Sequence, residues 1–154
     1  MVPEPSVAVE LVDADSLAPG FRVSAQGDGY SGHTAIWLLR GDADAFLEAL
    51  DRLDVSLKGE ARLRAGWVEP GEAATDAKAD LVLAIRPTGH AGRLEVDVTM
   101  REPHSGDERN SARIRFVLPE PSALTRFRRA LHPLMQGVAG APAVLTAAIA
   151  RADI

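Results

Sequence analysis

The pentapeptide GYSGH at residues 29–33 places a serine and a histidine among glycines, a combination that raises the question of nucleophilic catalysis. A nucleophile elbow needs glycine two residues before and two residues after the serine, on a turn that leads from a strand into a helix. Gly29 occupies the first position, but His33 occupies the second, and a strand-like pattern follows Ser31. We therefore interpret the pentapeptide as a turn. Its backbone freedom comes from Gly27, Gly29 and Gly32.

Histidine and cysteine content limits the metal and redox chemistry of the chain. The four histidines are His33, His90, His104 and His132, and there is no cysteine. No two histidines have the i, i+4 spacing that places two ligands on one helical face. The absence of thiols favours a reducing compartment, so we expect a cytoplasmic protein. We predict no catalytic residue, no metal and no cofactor. An enzyme or small-ligand-binding protein with a pocket near His33 or His90 is the alternative.

Charged residues offer two surfaces for a partner. The net charge is −5, which disfavours nucleic acid as that partner. Asp44, Glu48 and Asp51 fall on the polar face of a predicted helix, and we predict that they bind a partner of opposite charge. The alternative surface is the polar side of the predicted sheet, which carries Arg62, Arg64, Arg93, Arg113 and Arg115.

Alternation of apolar and polar residues dominates the first two thirds of the chain and predicts strands with one wet face. The alternating stretches lie at 7–12, 21–26, 60–67, 93–100 and 111–118. The runs TAIWLLR (34–40) and DLVLAIR (80–86) are apolar on both faces, so we expect these strands to lie near the middle of the sheet or to be covered on both sides. The joints are turn-like and too short for helical crossovers, which indicates sequential antiparallel pairing.

Two segments have helical periodicity, at 42–53 and 122–135. In the first, Asp42 is a good N-cap residue, and Asp54 would point toward the apolar stripe, so we expect the helix to end near Leu53. In the second, the apolar stripe consists of Leu124, Phe127, Leu131 and Leu134. The tail at 136–154 also predicts a short helix. It must dock on its own domain or on a second copy, leaving a monomer or a homodimer.

These elements predict an α+β fold in a single domain over residues 1–154. We expect an antiparallel meander of about six to seven strands, with two main helices on one face and the other face open and charged. The longest mainly apolar run, residues 137–150, is shorter than the roughly 20 residues that a membrane span needs, so we expect no membrane insertion.

The pattern resembles the WapI-type immunity-protein family of bacterial polymorphic and contact-dependent toxin systems, over residues 20–135. The resembling segments are GFRVSAQGDGYSGHTAIWLLRGDADAFLEALDRL, LKGEARL, TGHAGRLEVDVTM and RIRFVLPEPSALTRFRRAL. The resemblance implies a non-enzymatic protein that binds and neutralises a cognate toxin, with no catalytic residues to carry over. Nuclease toxins are generally basic because they engage phosphates, which favours the acidic helix as the binding surface.

Overall fold

The computed structural model describes most of the chain as eight strands and two helices. The described residues are 4–14, 18–27, 29–66, 79–89, 93–101, 111–118 and 120–147. The elements are β1 (Ser6–Asp13), β2 (Gly20–Gly27), β3 (Tyr30–Trp37), α1 (Arg40–Ser56), β4 (Ala61–Ala65), β5 (Leu81–Pro87), β6 (Leu94–Arg101), β7 (Ser111–Leu118), α2 (Ser122–Met135) and β8 (Ala143–Thr146). None of the helices in these ranges combines the length and apolarity that crossing a membrane requires.

The strands form two antiparallel sheets of four strands each. The order is β3-β2-β1-β8 in the first sheet and β4-β5-β6-β7 in the second sheet. The α+β class is confirmed, but the expectation of one meander is wrong. The helix α1 separates β3 from β4, so β1 to β3 and β4 to β7 form two local meanders, and β8 returns to pair with β1.

Glycines allow the two sheets to approach closely at one corner. A Cβ atom on Gly27 of β2 would lie 3.0 Å from Cγ2 of Ile114, and one on Gly32 of β3 would lie 3.1 Å from Cε of Met100. Both distances are tighter than ordinary van der Waals contact, so larger residues would push the sheets apart. Between them, Gly29 has a φ of +81°, which favours glycine. GYSGH thus begins in a turn at Gly29 and continues in β3 from Tyr30, so the turn is shorter than expected, and of the three glycines only Gly29 has a positive φ.

Both helices pack their predicted apolar stripes into one continuous core with the inner faces of both sheets. Helix α1 contacts β4 and α2, while α2 contacts β8 and β1. The buried residues of α1 are Ala43, Phe46, Leu47, Leu50 and Leu53, and those of α2 are Ala123, Leu124, Phe127, Leu131, Leu134 and Met135. The helices therefore cover the apolar side chains of the core that lie away from the corner where the two sheets meet.

Helix α1 continues beyond the predicted end near Leu53, and ends at Ser56. The polar residue on its apolar stripe, Asp54, accepts hydrogen bonds from Thr125 Oγ1 at 2.7 Å and from Arg128 Nε at 2.9 Å. Because α2 supplies these partners, Asp54 does not end the helix. The helix closes at Leu57, whose φ of 54° is left-handed and whose N–H donates to the carbonyl of Leu53.

The two runs predicted to be covered on both faces behave differently. Strand β5 lies inside the second sheet, and its residues from Leu81 to Ile85 are buried, as expected. Strand β3 is an edge strand of the first sheet, and Trp37 at its end is 61% exposed. The expectation for TAIWLLR is wrong because β8 pairs with β1, which leaves β3 at the opposite edge.

The described part of the tail contains a strand where a helix was predicted. Strand β8 pairs with β1, with Leu145 opposite Val7 and Ala143 opposite Val9. Ala143 and Leu145 are buried while Val144 between them is exposed. A helix would bury residues with a period of about 3.6, whereas pairing with β1 imposes a period of two, so Val144 faces solvent between two buried neighbours. The tail thus docks on its own core, which gives a tail-mediated homodimer no support; residues 148–154 lie outside the described residues.

Candidate binding surface on the second sheet

The outer face of the second sheet, together with the residues that flank its strands, is rich in charge. We call this surface the arginine face. It comprises seven arginines (Arg62, Arg64, Arg86, Arg93, Arg101, Arg113 and Arg115) and four carboxylates (Glu60, Asp80, Glu95 and Asp97). Its net charge of about +3 is opposite in sign to the −5 of the whole chain. All five arginines predicted from the sequence are exposed, as an open charged sheet face requires.

Arg86 is the centre of an ion-pair network on this face. Its Nη1 donates to Glu60 at 3.1 Å, and its Nη2 donates to Asp97 at 3.0 Å and to Glu95 at 3.4 Å. Glu60 also accepts from Arg62 Nε at 2.7 Å. The Arg86 guanidinium thus links Glu60, which precedes β4, to the two carboxylates of β6, and it holds these side chains in a single arrangement.

Two arginines of the edge strand β7 bind carboxylates of β6 with the same edge of the guanidinium. Arg113 donates from Nε to Asp97 Oδ1 at 3.0 Å and from Nη2 to Oδ2 at 2.7 Å. Arg115 donates from Nε to Glu95 Oε1 at 3.0 Å, and its Nη2 lies 2.9 Å from the same oxygen. Each pair is diagonal, because Arg113 lies opposite Thr99 in the ladder and Arg115 lies opposite Asp97.

Charge pairing also shifts the ionisation of this network. Hydrogen bonds from Arg113 and then Arg86 lower the pKa of Asp97, although burial opposes the shift. The pKa of Glu60 is lowered mainly by Arg62, and the pKa of Arg86 is raised mainly by Glu60. These carboxylates therefore stay ionised, and the arginines stay protonated, at neutral pH.

Small side chains leave a depression of about 420 Å³ between the arginines. Its floor contains Val82, Ala84 and Thr99. The other lining residues are Arg62, Arg86, Asp97, Arg101, Ser111 and Arg113. Four of these lining residues are arginines and only one, Asp97, is a carboxylate. The depression is therefore rich in cationic donors and suits an anionic group.

The acidic residues predicted on α1 do not form one free surface. Asp44 and Glu48 are exposed, and Asp44 Oδ1 lies 3.4 Å from the donating Nε2 of Gln136. Asp51 is only half exposed and lies 3.1 Å from Arg128 Nη1, an ion pair that joins α1 to α2. All three side chains thus reach solvent, but Asp44 and Asp51 also contact residues of α2 or just beyond its end. Their role in binding a partner stays a prediction.

The alternative ligand site near His33 lies on the outer face of the first sheet. His33 is exposed and lines a shallow, open depression of about 560 Å³ with Arg22, Ser24 and Ser31. His90 lies outside the described residues. Within the described residues, no group of three histidine, aspartate or glutamate side chains is arranged to hold a metal ion.

Sequence reasoning missed Arg86, the centre of the network. The run DLVLAIR was interpreted as apolar on both faces, which left its last residue unassigned. Alternation back from Arg86 through Ala84 and Val82 places it on the charged face, in line with Asp97 and Glu95 on the neighbouring strand. This alternation in the sequence was the signal that would have identified Arg86 as a residue of the charged face.

Comparison with known proteins adds one distant likeness. No protein-family model and no curated protein matches the chain. A chain of the CdiA-CT/CdiI toxin and immunity complex from Enterobacter cloacae is similar in structure, with a TM-score of 0.40 and 12% identity, over 74% of this chain and 88% of that chain. At this TM-score and identity, the likeness is too distant to support a statement about function.

Proposed function

We propose that this chain is a non-enzymatic protein-binding module that engages an acidic surface of its partner through the arginine face. The observation that carries the proposal is the ion-pair network, in which three carboxylates hold four arginines on an open sheet. Arginine is enriched in protein interfaces, where its planar fork binds carboxylates with two donors.

The rigidity of the face favours it over the acidic helix. A side chain that is already ordered loses less conformational entropy when a partner binds, so a larger part of the contact energy remains as affinity. Arg113 and Arg115 are ordered by carboxylates of β6 yet keep 58% and 55% of their side-chain surface exposed. On α1, only Asp51 is ordered by an ion pair, with Arg128, and it keeps 48% of its side-chain surface exposed; among the described residues, Asp44 and Glu48 have no ion pair to order them.

The partner that the resemblance to WapI-type immunity proteins implies is a bacterial toxin. We propose that the chain neutralises such a toxin by covering a surface that the toxin needs, without chemical modification. An acidic toxin surface would bind the arginine face. A basic toxin would instead bind Asp44 and Glu48 on α1, so the variants below also report the charge of the partner.

A protection assay with the product of the neighbouring gene tests the proposal, and a neighbouring gene that encodes no toxin domain would count against toxin neutralisation. We expect the chain to protect cells that express this product, and we expect Arg113→Gln with Arg115→Gln to abolish protection. The matched control is Arg126→Gln with Arg129→Gln, which makes the same change in net charge at two exposed positions on α2. This control should protect fully.

Two results would contradict parts of the proposal. If the wild-type chain gives no protection and does not bind the purified product, toxin neutralisation is wrong. If it protects, but only Asp44→Asn with Glu48→Gln abolishes protection, the binding surface is α1 and not the arginine face. Circular dichroism of each variant should be unchanged, because all the substituted side chains are exposed.

A small-ligand-binding function is the second candidate, and the depression beside His33 favours it. The Arg22 guanidinium and the hydroxyls of Ser24 and Ser31 would suit a small polar anion. A His33→Ala variant that loses binding of inorganic phosphate, while Arg113→Gln retains it, would support this candidate.

A further inference from the structure

Arg113 and Arg115 are alternate residues on β7 and point to the same side of the sheet. Their Cα atoms are therefore separated by about 7 Å, since an antiparallel strand rises about 3.4 Å per residue. Each guanidinium is held by its Nε and Nη2 atoms against a carboxylate of β6. The pair thus turns the same edge of the guanidinium toward β6 twice along an edge strand, with two acceptor oxygens for Arg113 and one for Arg115.

The outer edge of each guanidinium keeps donors for a ligand. Arginine carries five N–H donors in a rigid fork, and the contacts to Asp97 and Glu95 use the Nε and Nη2 side. Within the described residues, neither Nη1 atom makes a hydrogen bond. A second carboxylate can therefore bind each arginine without displacing the carboxylate of β6.

We propose that Arg113 and Arg115 form a two-point docking site for carboxylates at alternate positions of an extended acidic segment in a partner protein. In such a segment, side chains on one face also repeat every 6.6–6.8 Å or so, which matches the spacing of the two arginines. The proposal rests on the proposed function of the arginine face, and it adds the chemistry and the spacing that the partner must have.

A protein segment fits this surface better than a nucleic acid. Among the described residues of the arginine face there is no aromatic side chain on which a base could stack. A nucleic acid backbone also extends beyond one sheet face, where the remainder of a chain with a net charge of −5 would repel it. A short acidic segment meets only the local field, which salt screens over about 8–10 Å.

A pair of synthetic peptides tests the spacing. In one peptide, two glutamates are separated by a single threonine within a threonine segment, so that they alternate; in the other, the same residues are rearranged so that the two glutamates are adjacent and point to opposite faces. We expect the alternating peptide to bind roughly tenfold more tightly in fluorescence-anisotropy titrations at low salt, because it alone can reach both arginines from one face. An oligothymidylate of equal charge should bind more weakly than the alternating peptide.

Lysine variants separate the fork geometry from the charge. Arg113→Lys with Arg115→Lys keeps both charges but removes the paired donors, so the preference for the alternating peptide should disappear. The matched control, Arg126→Lys with Arg129→Lys at two exposed positions of α2, should retain it. Amide spectra of the free variants should show that the sheet is intact.

Equal binding of the two peptides to the wild-type chain would overturn the inference, as would a preference that survives in the Arg113→Lys/Arg115→Lys variant. Tighter binding of the oligothymidylate would also overturn it. If protection from the toxin depends on Arg113 and Arg115 but the peptides bind alike, the docking geometry is wrong while the proposed function stands. If the wild-type chain prefers the alternating peptide but gives no protection from the toxin, the docking site stands and the proposed function is wrong.

Discussion

The two sheets of this protein have similar inner faces and contrasting outer faces. Both are antiparallel, contain four strands and bury alternate apolar residues in one core. The outer face of the first sheet carries mostly small or neutral side chains, including Ser6, Ala8, Ser24, Gln26 and Ala35, with one pair of opposite charges in Glu10 and Arg22. The outer face of the second sheet carries the arginines and the carboxylates that pair with them.

The contrast shows how a sheet can keep many like charges on one face. Arginines on adjacent strands repel one another, and like charges directly opposite are destabilising. Asp97 and Glu95 lie between β5 and β7 and accept from arginines on both sides. We infer that the carboxylates stabilise the face, while the exposed arginines are the groups available to a partner.

The largest effect on stability should come from removing the carboxylate at the centre of the face. Asp97→Ala leaves Arg113 and Arg86 without a shared acceptor, and should lower the free energy of unfolding by about 1–2 kcal/mol after allowance for solvent screening. Ser24→Ala on the first sheet should change it by less than about 0.5 kcal/mol. Urea unfolding at pH 7 measures both, and equal effects would remove the distinction between the faces.

Acid should lower the free energy of unfolding of the protein through the ion pairs of the second sheet. The folded-state pKa of Asp97 is lowered by Arg113 and Arg86, and that of Glu60 is lowered by Arg62. In the unfolded chain these groups titrate near about 3.9 and 4.3, so the unfolded state binds protons first as the pH falls. Their contribution to stability is present above pH ~5 and is lost as the pH falls through the folded-state values.

The control for this pH dependence is Asp97→Asn. Its stability should be lower than that of the wild-type chain at pH 7, and should fall less steeply below pH ~5, because one linked proton is absent. Urea unfolding at a series of pH values gives both curves. Parallel curves for the two proteins would show that Asp97 is not linked to folding.

A smaller change in stability, of opposite sign to that of Asp97→Ala, is predicted for a polar group on the inner face of the first sheet. Thr34 is buried, and its hydroxyl has no hydrogen-bond partner among the described residues. Thr34→Val keeps the shape and removes the unpaired hydroxyl, so it should stabilise the protein by about 0.5–1 kcal/mol. Thr146→Val should not stabilise it, because Thr146 Oγ1 donates to the carbonyl of Pro5. Destabilisation by Thr34→Val would show that its hydroxyl has a partner.

Local patterns in the sequence were sufficient to predict most of the elements. Alternation assigned the inward residues of β1 and β2, and helical periodicity identified both helix stripes, because each pattern reports which side of one element meets the core. The five exposed arginines followed from the same alternation.

Contacts between distant parts of the chain could not be predicted in this way. The division into two sheets depends on β8 pairing with β1, more than 130 residues earlier in the chain. The engagement of Asp51 and Asp54 by Arg128 depends on how α1 meets α2, which neither helix pattern contains. The role of Arg86 depends on the register of β5 against β6.

The central claim is that a partner binds the second sheet through its arginines. Amide chemical-shift mapping with the alternating acidic peptide tests this most directly, since it compares both outer faces in one titration. We predict that the shifted amides cluster on β6 and β7, around Arg113 and Arg115, and that the shifts decline as salt is raised. Shifts centred on β2 and β3 around His33, or on α1 around Asp44, would contradict the claim.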